Sequence, residues 1–342
     1  MKTMSEPKVS IITPVYNGAK YLPECIESVL AQTWQNWDYV IVNNCSTDRT
    51  LEIAQHYAER DARIRIHNNA TFLPVVANHN HALRQLSPDS SYCKFVFADD
   101  WLFPECLERM VTLMESRPSA GMVGAYGLQG SNIMWSGLPY PSTVVDGTEA
   151  CRRRLLGGPY VFGTGTSHMF RASEVRSRDP FYNETNLHCD SEVCFQILQK
   201  SDFGFIHQVL SYTRAPEVDS LTGVGNRLHT LEASTLYELM TYGPVFLVPE
   251  EQRTRLKVKL DEYYALLAHS VLEGRDSWDF HRKKMDEYGL KLDRLRLTRS
   301  VIAKGAGAFL RSPKRTVSKL LRGKSVVSGR LRSLVGSEAE RQ

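Results

Sequence analysis

The chain has 342 residues, 42% hydrophobic and 23% charged, which is enough apolar material for a full core and excludes a largely disordered chain. Its net charge of +4 is uneven. Residues 291–342 hold fourteen Lys or Arg against three Asp or Glu, a net +11, leaving −7 for residues 1–290, so the basic end reads as a separate module. Seven cysteines with no Cys-x-x-Cys pair suit reduced thiols in a cytoplasm and argue against a disulfide framework or a zinc site.

Met1 to Lys8 is short and polar, with no room for a secretory signal. No run of about 18 apolar residues predicts a membrane-spanning helix. Val9-Ser10-Ile11-Ile12 reads as a buried strand that ends in Thr13-Pro14 and the turn pair Asn17-Gly18. From about Lys20 to Gln32 the helical spacing of Leu22, Ile26, Val29 and Leu30, with Pro23 in the first turn, predicts a helix packed on a sheet. A second strand, Tyr39 to Val42, ends in the polar cluster Asn43 to Asp48, and a helix around Leu51 to Tyr57 follows. Ile64-Arg65-Ile66 is a third strand, Ala77 to Leu86 a helix, and Lys94 to Phe97 a fourth strand with Asp99-Asp100 at its end. Pro104 opens the next helix, which carries Leu107, Met110, Val111 and Met114 on one face.

This alternation predicts an α/β fold with a Rossmann-like, mostly parallel sheet flanked by helices, whose ligands lie beyond the carboxyl ends of the strands. The clusters at Asn43 and Asp99 both fall there. After residue 120 the pattern loosens, with glycines at 157, 158, 163 and 165, a helix from about Asp190 to Lys200 and a strand at Val209 to Tyr212. From about Leu228 to Leu272 it is helical again. The expected organisation is a sheet-bearing domain over 1–225, divided at about residue 120, a helical extension over 226–290 and a basic tail over 291–342.

Adjacent carboxylates at Asp99 and Asp100 repel unless a cation or a nucleotide's hydroxyls hold them, and a hard divalent ion answers that need. On these residues by themselves, an acidic pair at a helix start is an equal reading. A wider pattern bears on the choice. SIITPVYNG (Ser10 to Gly18), SVLAQT (Ser28 to Thr33), NNCSTDRT (Asn43 to Thr50), NHAL (Asn80 to Leu83) and ADDW (Ala98 to Trp101) with Pro104 follow one another in order. Together they resemble glycosyltransferase family 2.

That resemblance implies a glycosyltransferase-A fold and inverting transfer of a sugar from a nucleotide diphosphate sugar to a saccharide or lipid-linked saccharide, with Mn²⁺ or Mg²⁺ as cofactor, and makes 1–225 the catalytic domain, with nucleotide-sugar binding to about 120 and the acceptor side over 121–225. It places Pro14, Val15 and Tyr16 against the base, with Tyr16 offering a ring to stack. Asn44 matches a position where relatives commonly hold a base-binding aspartate, and Phe97 stands where many have a further aspartate. Asn80 is read as a residue that satisfies backbone groups near the nucleotide, while the resemblance places Asp99 near the ribose or metal and Asp100 as the more direct metal ligand. Asp190 matches the acidic residue that deprotonates the acceptor hydroxyl, and N-capping of its helix is the structural alternative. His168 and Arg214 fall on the acceptor or diphosphate side, where a packing histidine and a surface arginine are the plain readings. Asp48 reads as a loop or capping residue.

In the tail, Leu320, Leu321, Val327, Leu331, Leu334 and Val335 fall near one helical face, with Lys and Arg on the remainder. This predicts an interfacial helix on anionic lipid at the inner face of the membrane, with a solvated tail as the alternative and no nucleic-acid partner. Surface-polysaccharide synthesis in the cytoplasm follows from the same resemblance. The rival from another class is a catalytically silent module that binds a glycan or nucleotide sugar. A nucleotidyltransferase would need a glycine-rich, Lys- or Arg-bearing loop after the first strand, which Thr13 to Gly18 does not supply.

Overall fold

The structure is a computed structural model and describes residues 6–215, 221–273 and 275–311. The chain divides into two compact units, Met1–Pro216 and Glu217–Gln342.

The first unit is built on strands β1 (Val9–Val15), β2 (Trp37–Asn43), β3 (Ile64–Asn68), β4 (Tyr92–Phe95), β5 (Trp101–Leu102), β6 (Ala120–Gln129), β7 (Asn132–Met134), β8 (Val144–Val145), β9 (His168–Arg171) and β10 (Asp202–Tyr212). Their order is β3-β2-β1-β4-β9-β6-β10-β5, with β7 on β6 and β8 on β10. The first four strands in that order pair in parallel, as do β6 and β10. Between these halves β9 runs antiparallel to both β4 and β6. Every residue of β1 and β2 is buried, as an apolar run at the centre of a two-sided sheet requires.

Helices α1 (Leu22–Leu30), α2 (Thr50–Ala58), α3 (Val75–Leu83), α4 (Cys106–Ser116), α5 (Gly147–Leu155), α6 (Ala172–Arg176) and α7 (Cys189–Leu198) flank this sheet. The predicted apolar stripes are the packed ones. Leu22, Cys25, Ile26 and Val29 of α1 and Leu107, Met110, Val111 and Met114 of α4 share a core with Val9 and Ile11. Asp48, read as a loop or cap residue, accepts hydrogen bonds from the N–H groups of Thr50 (3.0 Å) and Ala19 (3.1 Å), joining the start of α2 to the loop after β1. All seven cysteines are free thiols, six of them buried and Cys45 partly so.

The second unit is helical, with α8 (Leu221–Leu228), α9 (Thr230–Phe246), α10 (Pro249–Glu273), α11 (Arg275–Glu287) and α12 (Arg294–Arg311). Leu236, Tyr263, Leu267, Met285 and Leu297 form its core. Because Leu297 is buried, α12 packs with the helical unit although it lies in the base-rich segment. The interfacial helix predicted from the apolar face of Leu320 to Val335 lies outside the described residues. Among those described, no helix is long and apolar enough to cross a membrane.

Candidate active site

The carboxyl ends of β1, β2 and β4 lie together. Pro14 pairs with Val42 and Val15 with Asn43, and β4 lies on the other side of β1. Tyr16, just past β1, is 49% exposed, and its ring meets that of Phe72 edge to face at 4.9 Å. Asn44 is buried and its side-chain amide is engaged within the protein. Its Nδ2 donates to Leu73 O (2.8 Å), while its Oδ1 accepts from Leu73 N–H (3.0 Å) and Asn69 Nδ2 (2.8 Å). An aspartate would lack the donor for Leu73 O. Asn44 therefore holds the 69–73 loop, a role its sequence match does not disclose.

Asp99 and Asp100 differ in setting. Asp99 is exposed, while Asp100 is 3% exposed. One oxygen of Asp100 accepts from Thr166 Oγ1 (2.6 Å) and the other from Arg214 N–H (3.0 Å). Burial, with the neighbouring Asp99 charge adding to it, pushes the Asp100 carboxyl up to about 7. Thr166 reaches it on a turn that needs glycine: Gly163 has φ +85°, and a Cβ there would lie 2.0 Å from Ser167 Oγ. The fully buried Lys94 anchors the same turn through Thr166 O and, at 3.0 Å, His168 O.

Arg214 closes the opposite side. Its Nε donates to Asp99 O (3.0 Å), its guanidinium pairs with Glu24, and it lies 3.9 Å from the centre of the Tyr21 ring. The structure thus brings Arg214 to Asp99 and Asp100, from β10 to the end of β4. Phe97 packs its ring on His79 (5.3 Å) and Phe95 (5.9 Å).

Asp190 sits in the first turn of α7, whose N-cap is His188. It is partly exposed and accepts Ser191 N–H at 2.9 Å. Burial of the carboxyl raises it to about 6, into the range where a general base works near neutrality. The loop leading to it is fixed from α3. Asn80, 2% exposed, donates to Tyr182 O (2.8 Å) and Glu184 Oε1 (3.0 Å) and accepts Tyr182 N–H (2.8 Å). The Tyr182 ring lies 6.0 Å from that of Phe95. Asn80 thus serves backbone groups of the loop before Asp190.

His168 is fully buried on β9, its Nδ1 3.3 Å from Phe162 O, and burial pushes its pKa down to about 3. A neutral imidazole closed off in the core favours the packing role over a phosphate contact.

Among the described residues, no group of three or more His, Cys, Asp or Glu side chains is placed to hold a metal ion. The pair Asp99-Asp100 still fits a hard divalent cation. A carboxyl pushed up by burial, with its neighbour's charge adding to it, is relieved by positive charge, and such an ion takes its remaining ligands from phosphate oxygens and water.

The family described as Glycosyl transferase family 2 matches residues 10–177. The chain carries a family 2 glycosyltransferase domain. EpsE of Bacillus subtilis (strain 168), whose own glycosyltransferase assignment is provisional, is 34% identical over 160 residues, 44% of this chain and 56% of EpsE. The match therefore spans about half of that relative's length. TarS 1–349 of S. aureus, solved in complex with UDP-GlcNAc, superposes with a TM-score of 0.58 at 17% identity, covering 79% of this chain and 78% of that one. The mannosyltransferase PcManGT of Pyrobaculum calidifontis, solved with GDP-Man and Mn²⁺, gives 0.53 at 15% identity, covering 98% and 89%. At these identities the likeness shows the glycosyltransferase-A fold.

Four side chains of this glycosyltransferase domain were not singled out from sequence: Phe72, Lys94, Thr166 and Glu24. Lys94 carried the clearest signal, a lone charge in an otherwise apolar central strand. The recurrence of asparagine at 43, 44, 68, 69, 78 and 80 was a second, since short amides in adjacent loops serve to satisfy one another and the backbone.

Proposed function

We propose that the domain transfers a sugar, with inversion, from a nucleotide diphosphate sugar to a saccharide or lipid-linked saccharide during surface-polysaccharide synthesis. The observation that carries this reading is the meeting of Asp99, Asp100 and Arg214 at the carboxyl ends of the strands. That is where an anionic diphosphate and its counter-ion would be held. Pro14, Val15 and Tyr16 take the base, and Asp99 and Asp100 hold Mn²⁺ or Mg²⁺. When bound, such an ion neutralises charge on the departing diphosphate. The Arg214 guanidinium adds positive charge on the same side. Asp190 takes the proton of the acceptor hydroxyl, on the face of the sugar opposite the leaving group, and that geometry produces inversion. Asn44 and Asn80 act at one remove, by fixing the loops that carry the base pocket and the base catalyst.

Calorimetric titration with UDP-, GDP- and dTDP-sugars, with and without Mn²⁺, tests the donor part. One donor class is expected to bind, and to bind more tightly with Mn²⁺; no binding by any of the three rejects the reading. The proposal also places the chain at an anionic membrane through its basic end. Since α12 is part of the helical unit, the suitable comparison is the whole chain against one ending at Arg311. Equal co-sedimentation with anionic vesicles would exclude the segment beyond Arg311 as the anchor.

A further inference from the structure

We infer that Phe72 forms a second wall of the base pocket and that Asn44 acts on the base through Phe72, as a positioning residue. This rests on the reading of the loop after β1 as the donor site. Two large aromatic rings stand exposed beside each other at the carboxyl end of the sheet: Tyr16 is 49% and Phe72 55% exposed. Their planes are inclined by 69° with centres 4.9 Å apart, so they form a corner. A planar base stacked on one ring presents its edge to the other, and both arrangements are favourable for π-systems.

Phe72 does not wave on a free loop. Asn44 pairs with both backbone groups of Leu73, the next residue, and its Oδ1 also accepts from Asn69. Asn69 N–H in turn donates to Asn43 O at 3.0 Å. The loop is therefore pinned at both ends to the terminus of β2, with Phe72 between the pins. An amide supplies both the donor and the acceptor that the N–H and C=O of Leu73 require, which a carboxylate cannot. With its carbonyl already accepting two hydrogen bonds, Asn44 is better placed to hold the Phe72 wall than to read a base edge.

The test uses the intact chain and calorimetric titration with UDP, GDP, dTDP and, as a probe without a base, inorganic pyrophosphate, all with Mn²⁺. Phe72→Ala is expected to weaken the best nucleoside diphosphate by roughly 5- to 100-fold and to leave pyrophosphate unchanged, and Phe72→Trp is expected to restore nucleotide affinity. Asn44→Asp is expected to weaken the nucleotide and to add nothing on top of Phe72→Ala, the signature of action through one group. Equal nucleotide affinity in wild type and Phe72→Ala overturns the inference while leaving the donor-site reading intact, as does a parallel loss of pyrophosphate. Full additivity of the two substitutions overturns the role given to Asn44. A wild type that binds none of the three nucleotides overturns the donor-site reading itself.

Discussion

Replacing Asp190 with Asn is expected to lower the rate of sugar transfer by roughly 10²- to 10⁴-fold, the range for loss of a positioned general base, while donor affinity stays at the wild-type level. The separation is expected because the substitution is nearly isosteric. The amide oxygen can still accept Ser191 N–H, the bond that orients the carboxylate in the first turn of α7, so what is lost is proton affinity. A pH profile gives an independent check. Burial raises Asp190 to about 6, and the base works only when deprotonated. The rate should therefore fall by about tenfold per pH unit below that value and level off above it. Wild-type transfer in Asp190→Asn, measured with the donor that binds, would remove Asp190 from the mechanism. A wild type that binds donor but neither transfers nor hydrolyses it would favour the silent-module reading.

At the acidic pair proposed to hold the cation, Asp100→Ala is expected to abolish the Mn²⁺-dependent part of donor affinity, a loss of roughly tenfold or more. The same substitution leaves Thr166 Oγ1 and Arg214 N–H without their acceptor, so a fold defect could imitate the result. Asp99→Asn separates the two. It is exposed, it removes one negative charge with little change of shape, and it should weaken Mn²⁺-dependent binding without moving the thermal unfolding midpoint. Donor binding that responds to Mn²⁺ equally in wild type, Asp100→Ala and Asp99→Asn would rule out the pair as the cation site.

Much of this was legible in the residues. The strand and helix order to residue 116, apart from the two-residue β5, follows from periodicity, because β1, β2, α1 and α4 bury the apolar positions that their spacing marks. Asp100, Asp190 and Arg214 were reachable through the match of their positions to the family pattern, since an acidic residue at a helix start or a surface arginine has an ordinary structural reading of its own. Asn44 and Asn80 were found as positions, but their partners were not. Asn80 bonds to residues 102 and 104 positions away, and Asn44 to a loop 25 to 29 positions on. Such pairings depend on how loops close over the sheet, which local pattern does not encode. Phe72 was overlooked for a similar reason: an aromatic residue in a polar loop acquires meaning only when another ring stands beside it.

The placement of β10 has a practical consequence for anyone excising this domain. The family match stops at residue 177, yet β10 lies inside the sheet, between β6 and β5. It also leads directly to Arg214. A fragment trimmed at the homology boundary would bare one flank of β6, lack both Asp190 and Arg214, and strand the Asn80 amide without the backbone it grips. The compact unit is longer than the matched segment, and a fragment meant to keep the proposed site whole has to run past Arg214.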